Sequence, residues 1–154
     1  MKVLINRHVV DGAWGGGNAF VRAFRERMPR HGHTVVDSLA DRPDLIVIVG
    51  PERDTHTVGF SDAMIYRLKH PECKIILRVN DCDARKGTQG VNSKLMSIGS
   101  QCNGIVFVSD WIRDHMMTKW HVDIAQVADA VRMHSVTFDA DAYETRLIQI
   151  ATVI

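Results

Sequence analysis

The chain contains no apolar run approaching the ~20 residues that a bilayer-spanning helix needs, and its first residues lack the charged-then-apolar pattern of a secretory signal. Cysteine is scarce: Cys73, Cys82 and Cys102 are odd in number and none are in C-x-x-C spacing. That argues against a disulfide framework and suits a reducing compartment, so the expected location is cytoplasmic. No excess of one charge is present, because 19 Lys and Arg face 18 Asp and Glu for a net +1. No global field therefore favours nucleic acid or an anionic membrane surface. Also missing are a G-x-S-x-G nucleophile elbow, a Walker loop ending in Gly-Lys-Ser/Thr and the Rossmann fingerprint G-x-G-x-x-G. Of 8 histidines only His31 and His33 lie close together, flanking Gly32. Two turn histidines do not make a zinc site, and no metal is expected.

What is present is an alternation. Lys2–Asn6, His33–Asp37, Leu45–Val49, Lys74–Val79 and Gly104–Val108 read as buried strands rich in β-branched residues. Between them, Asn18–Arg30, Ser61–Leu68, Val91–Ser100 and a stretch from Ser109 or Asp110 to about Trp120 read as helices. Continuous apolar strands alternating with helices predict a parallel sheet covered on both faces, an α/β class of three αβα layers. The right-handed crossover rule suggests strand order 3-2-1-4-5, with Val3–Ile5 central. At 154 residues the chain has one domain's length and can bury a substantial core.

Open α/β sheets bind ligands beyond the carboxyl ends of their strands. The first strand runs through Asn6, Arg7 and His8 into Gly12-Ala13-Trp14-Gly15-Gly16-Gly17-Asn18, which opens a helix. Glycines let the backbone approach a ligand closely, and a helix amino end offers free N–H groups and a positive dipole. The alternative is a flexible turn with Asn18 as N-cap. Trp14 can stack on a sugar ring or pack under the loop. The fourth strand runs into Asn80-Asp81-Cys82-Asp83-Ala84-Arg85-Lys86, and the last into Ser109-Asp110. Asn80 and Asp81, nearest the strand, are expected in the cleft; local pairing suffices for Asp83 and Lys86. Arg22, Arg25 and Arg30 could meet an anionic acceptor or lipid headgroup, but with Glu26 among them a solvated helix face is the preferred reading and a membrane partner is unsupported.

Gly15-Gly16-Gly17-Asn18, Gly32-His33-Thr34-Val35, Arg78-Val79-Asn80-Asp81 and Val106-Phe107-Val108-Ser109-Asp110-Trp111 occur in that order. Over about Met1 to Val122 this resembles the N-terminal half of a GT-B glycosyltransferase, closest to the retaining family 4 group. The resemblance implies a Rossmann-like, chiefly acceptor-binding domain whose glycine loop faces the donor diphosphate. It places Gly15, Gly16, Gly17 and Asn18 at the donor diphosphate. His8, Trp14, Arg85 and Ser109 fall on the acceptor side. Asn80, followed by Asp81, occupies the catalytic position where the family often has a histidine near the transferred sugar. A nucleotide-sugar donor and a carbohydrate or other hydroxyl acceptor are the implied ligands, with no cofactor, no metal and no nucleic acid.

The family continues through a Pro-Asn-Gly-type linker into a donor domain carrying Glu-x7-Glu. Neither is present here: the glutamates are Glu26, Glu52, Glu72 and Glu144, far apart. Residues 123–154 instead show two apolar stripes, Ile124, Val127, Ala128, Val131 and then Tyr143, Leu147, Ile150, Ile154. The expected organisation is domain 1–122 with C-terminal helices 123–154 packing back onto it, Tyr143, Leu147 and Ile150 being buried. The functional expectation is a glycosyltransferase half, inactive alone for want of its donor domain. The alternative is a stand-alone nucleotide or sugar-phosphate binding module without turnover. A flavodoxin-like or sugar-phosphate enzyme with a complete one-domain site is disfavoured by the missing motifs.

Overall fold

Lys2–Ile5 forms strand β1, and its Val3, Leu4 and Ile5 side chains are buried. A strand apolar on successive rather than alternate positions must be covered on both faces, which is the environment of a parallel sheet between helices. The computed structural model describes residues 1–12, 16–51, 57–120 and 132–135. The chain is α/β and Rossmann-like, and every strand pairing described is parallel. It divides into two compact units, Met1–Ile75 and Ile76–Ile154.

In the first unit, helix α1 spans Gly16–Arg27, with Val21 and Phe24 buried and Met28 continuing the same face in a 3₁₀ turn, Met28–His31. Spacings of three and four residues put these side chains on one stripe. Gly32, at φ 76°, ends the turn in the left-handed conformation that glycine adopts without strain. Strands β2 (Thr34–Val36) and β3 (Leu45–Ile48) follow. Helix α2 spans Phe60–Lys69 and begins one residue before Ser61. Gly59 is its N-cap, with the Gly59 N–H donating to Asp62 Oδ2 at 2.9 Å.

Strand β1 pairs with β2 on one side and β3 on the other. Val3–Ile5 does not lie at an edge, but the order is 2-1-3, not 3-2-1, which puts β1 next to the edge strand rather than at the centre. Burial explains the correction. Strand β3 is buried at all four residues, whereas β2 has three residues, none of them buried. The longer, wholly apolar strand takes the protected place and the short one lies at the sheet's edge. Consecutive strands thus leave β1 in opposite directions, creating a switch point at the carboxyl ends of β1 and β3.

In the second unit, β4 (Lys74–Val79) pairs with β5 (Gly104–Phe107), and β5 with β6 (Arg132–Ser135). Helices α3 (Asp83–Lys86), α4 (Val91–Gly99) and α5 (Asp110–Trp120) are the helices described in it. Leu95 and Ile98 on α4 and Ile112 and Met116 on α5 are buried, matching the strand core of Leu77, Ile105, Val106 and Phe107. Gly99 permits a close approach: a Cβ there would lie 2.5 Å from Ile105 Cδ1 and 3.6 Å from Leu77 Cδ2. Neither the short α3 nor β6 was anticipated from the sequence pattern. The two stripes expected in the C-terminal helices, including Tyr143, Leu147 and Ile150, lie outside the described residues. No helix among the described residues is long and apolar enough to cross a membrane.

Candidate functional site

Each unit gathers polar groups at the carboxyl ends of its strands. In the first, Asn6 follows β1 directly and is buried. Its Oδ1 accepts from the N–H of Val49 at 2.6 Å and of Gly50 at 3.4 Å. Its Nδ2 donates to the carbonyls of Gly50 at 2.6 Å and Val58 at 3.0 Å. One amide side chain thereby closes the switch point between β1 and the chain leaving β3.

Beyond Asn6 the chain is exposed at Arg7 and His8 before it turns into α1. Asn18 holds that turn. It is buried, its Oδ1 accepts from the Val10 N–H at 2.8 Å and its Nδ2 donates to the Val10 carbonyl at 2.7 Å. The helix starts at Gly16, so Asn18 is not the N-cap but a residue of the first turn that grips the preceding loop. Its amide is engaged with the backbone; its effect on a ligand would come through the loop it shapes.

Gly16 and Gly17 form the amino end of α1. Neither has left-handed backbone, and a Cβ on Gly16 would meet nothing within 4 Å. At Gly17 the nearest atom would be Arg7 Nη1 at 3.7 Å. The first turn of α1 carries no acidic residue. A guanidinium beside the positive end of a helix, with no carboxylate in that turn, is an arrangement that favours an anion. Trp14 and Gly15 lie outside the described residues. Of the basic residues on α1, Arg25 pairs with Asp37 at 2.5 Å.

In the second unit, Val79 is in register with Phe107, and the Val108 N–H donates to the Val79 carbonyl at 3.1 Å. The residues after β4 and after β5 therefore emerge side by side: Asn80 and Asp81 with Ser109 and Asp110. Asp81 accepts from the Cys82 N–H at 3.1 Å, with Lys86 Nζ at 3.4 Å and Arg85 Nε at 3.9 Å. Its side chain is only 18% exposed. Arg85 also donates through Nη1 to the Asn80 carbonyl at 3.4 Å. The loop's cations are thus gathered on Asp81 and Asn80, and Lys86 is locally paired as the sequence suggested.

Asp83 has a structural task. It accepts from the Asn92 N–H at 3.0 Å, from the Val91 N–H at 3.0 Å and from Thr88 Oγ1 at 2.9 Å, while Asn92 Oδ1 accepts from the Asp83 N–H at 2.8 Å. The Asn92 N–H above all, and then the Thr88 hydroxyl, hold its carboxyl below the usual range. Asp83 thereby caps α4 and closes the loop onto it.

Ser109 caps α5, its Oγ accepting from the Ile112 N–H at 3.2 Å. That leaves the Ser109 O–H proton to donate elsewhere. Asp110 pairs with Arg113 at 3.0 Å, and Arg113 with Asp114 at 2.7 Å. The sequence motif ends on Trp111 without giving it a role, and His115 was not part of it. Their rings stack at 5.2 Å and 10°, with Trp111 56% exposed. The available signal was their i, i+4 spacing on a helix opening directly after a strand.

Among the described residues no three or more His, Cys, Asp or Glu are grouped so as to hold a metal ion. No protein-family model, curated protein or solved structure matches the chain.

Proposed function

We propose that this chain is the acceptor-side half of a retaining GT-B glycosyltransferase, with the amino end of α1 facing the diphosphate of a nucleotide-sugar donor. The observation that carries the reading is the pair Gly16 and Gly17. Glycine in the middle of a helix costs about 0.5–1 kcal/mol relative to alanine, and even in the first turn it has no helix-forming advantage over alanine. Neither backbone conformation nor crowding requires it at Gly16. A residue that the fold does not need, at a helix amino end beside Arg7, fits a surface that must admit phosphate oxygens to backbone N–H groups. In transfer these amides and Arg7 would stabilise the charge developing on the departing diphosphate. By the resemblance, Asn80 and Asp81 would take the catalytic place, and His8, Arg85 and Ser109 would serve the acceptor. The three cysteines are free and buried, in keeping with the cytoplasmic location we propose.

Alone, the chain should not turn over donor. Holding both substrates in attack geometry contributes ~7–11 kcal/mol, and one wall of a two-sided site does not supply it. The test is calorimetric titration with uridine diphosphate and with inorganic pyrophosphate. Both should bind weakly to the wild type. Gly16→Val should reduce affinity at least tenfold, about 1.4 kcal/mol, without unfolding the protein. Equal affinity in wild type and Gly16→Val would refute the cradle. Diphosphate binding that never leads to donor consumption, even with a separately supplied donor domain, would favour the stand-alone binding module.

A further inference from the structure

We infer that Trp111 is a stacking platform for a pyranose ring at the carboxyl edge of β4 and β5, an inference that rests on the glycosyltransferase reading and names a contact for its sugar acceptor. The indole is 56% exposed, although a tryptophan is large enough that burial would be its most favourable fate. It is also held in place. His115, one turn further along α5, lies parallel beneath it at 5.2 Å and 10°. The His115 Nε2 is buried and makes no hydrogen bond among the described residues, so the imidazole serves here as a flat backing to the indole. An exposed ring already fixed by a second ring loses little freedom when a ligand covers it.

The surroundings identify the occupant. Asp114, three positions along α5, is the charged neighbour on Trp111's side of the helix, and it pairs with Arg113, which also pairs with Asp110. Among the described residues of the second unit Trp111 stands alone as a large exposed apolar side chain, which is poorly suited to a membrane or to a large apolar partner surface, since these need contiguous apolar area. It matches a sugar, whose ring presents a C–H face to an aromatic plane and hydroxyls around its edge to polar groups. The location agrees. Trp111 is the second residue of α5, two positions after the Ser109 cap, at the strand end shared with Asn80 and Asp81.

The experiment follows the indole Nε1–H resonance of Trp111, assigned by its loss in Trp111→Ala. Methyl glucoside, methyl galactoside and maltose serve as probes, and glycerol as the control with hydroxyls but no ring face. A saturable millimolar shift with the glycosides and none with glycerol is expected. Trp111→Phe should retain binding, Trp111→Ala should abolish it, and His115→Ala should weaken it several-fold with an unchanged circular dichroism spectrum. An unmoved indole resonance under all three glycosides overturns the inference, as does a shift that depends on protein concentration alone, which would mark a contact between copies of the chain. Uridine diphosphate added to the same sample distinguishes the two levels of reasoning. Perturbed Gly16 and Gly17 amides with a silent Trp111 would sink the platform and leave the glycosyltransferase reading intact. Silent glycine amides would sink that reading itself.

Discussion

Replacing Asn6 by alanine tests whether the switch point is held by one side chain. The substitution leaves the Val49 N–H, which Asn6 Oδ1 reaches at 2.6 Å in a buried setting, without its partner. An orphaned buried donor costs ~1–3 kcal/mol, and each net hydrogen bond lost from Nδ2, to Gly50 and to Val58, ~0.5–1.5 kcal/mol. Such terms do not add fully, so the expected loss is about 2–4 kcal/mol. For a chain of this size that lowers Tm by roughly 5–15 °C. Asn6→Asp separates acceptor from donor. It keeps an oxygen for Val49 but sets a second oxygen against the Gly50 and Val58 carbonyls, which raises the folded-state pKa of the new carboxyl above its ordinary ~3.9. The charged form is then disfavoured in the fold. The penalty is absent below the unfolded pKa, grows as pH rises through the folded pKa, and is complete at neutrality. Urea unfolding followed by circular dichroism between acidic and neutral pH measures both variants. A loss under ~0.5 kcal/mol for Asn6→Ala, the size of an ordinary surface change, would refute the reasoning. So would an Asn6→Asp deficit that is constant with pH.

Gly99→Ala should destabilise by ~1–3 kcal/mol through overpacking against Ile105, and adding Ile105→Val, which removes the crowded Cδ1, should recover part of that loss; additivity of the two in urea melts would exclude the contact. Burial, followed by the positive amino terminus, depresses the His33 pKa below its usual 6.5, so its contribution is present above that value and is lost as pH falls through the folded-state pKa. His33→Gln should therefore flatten the stability profile on the acid side of 6.5, as read by melting temperature against pH. Burial pushes the Cys73 thiol up to about 11, and Cys82 and Cys102 are buried as well. Iodoacetamide at mildly alkaline pH should label none of the three in the native protein and all three in urea, by mass spectrometry; native labelling at Cys73 would contradict its burial.

The class of fold was legible because Val3–Ile5, Leu45–Ile48, Ile75–Leu77 and Ile105–Phe107 are apolar without interruption, and only a sheet covered on both faces accepts such runs. Their order was less legible, although a signal for it existed. Thr34–Val36 is short and unburied, while Leu45–Ile48 is apolar at every residue, and that contrast distinguishes an edge strand from an interior one. The right-handed crossover rule governs the hand of each connection, not the side on which it lands, so it could not choose between 2-1-3 and 3-2-1. Helix starts moved for a similar reason. Helix α1 opens on Gly16 rather than being capped by Asn18, and α2 is capped by Gly59 rather than Ser61, because Asn18 grips Val10 and Asp62 serves the Gly59 N–H.

For the candidate site, residue type pointed to the right strand ends but not to each side chain's partner. Asp83 looks much like Asp81 in the sequence, both acidic and both near β4. One caps α4 through two backbone N–H groups, and the other collects Arg85 and Lys86 at the strand end. That difference depends on the direction in which the loop turns after Cys82, a tertiary property with no local signature. Glycine poses the opposite problem, since a Gly-Gly-Gly run reads equally as a turn or as a ligand cradle. The backbone distinguishes the two at Gly16. A turn glycine such as Gly32 sits at positive φ, where any other residue is strained, whereas Gly16 is helical, with open space at its missing Cβ. Alanine at Gly32 must therefore destabilise the fold, and alanine at Gly16 should leave it as stable or slightly more so. A substitution at Gly16 that spares stability yet weakens diphosphate binding has no explanation in the fold, and only a ligand at the amino end of α1 supplies one.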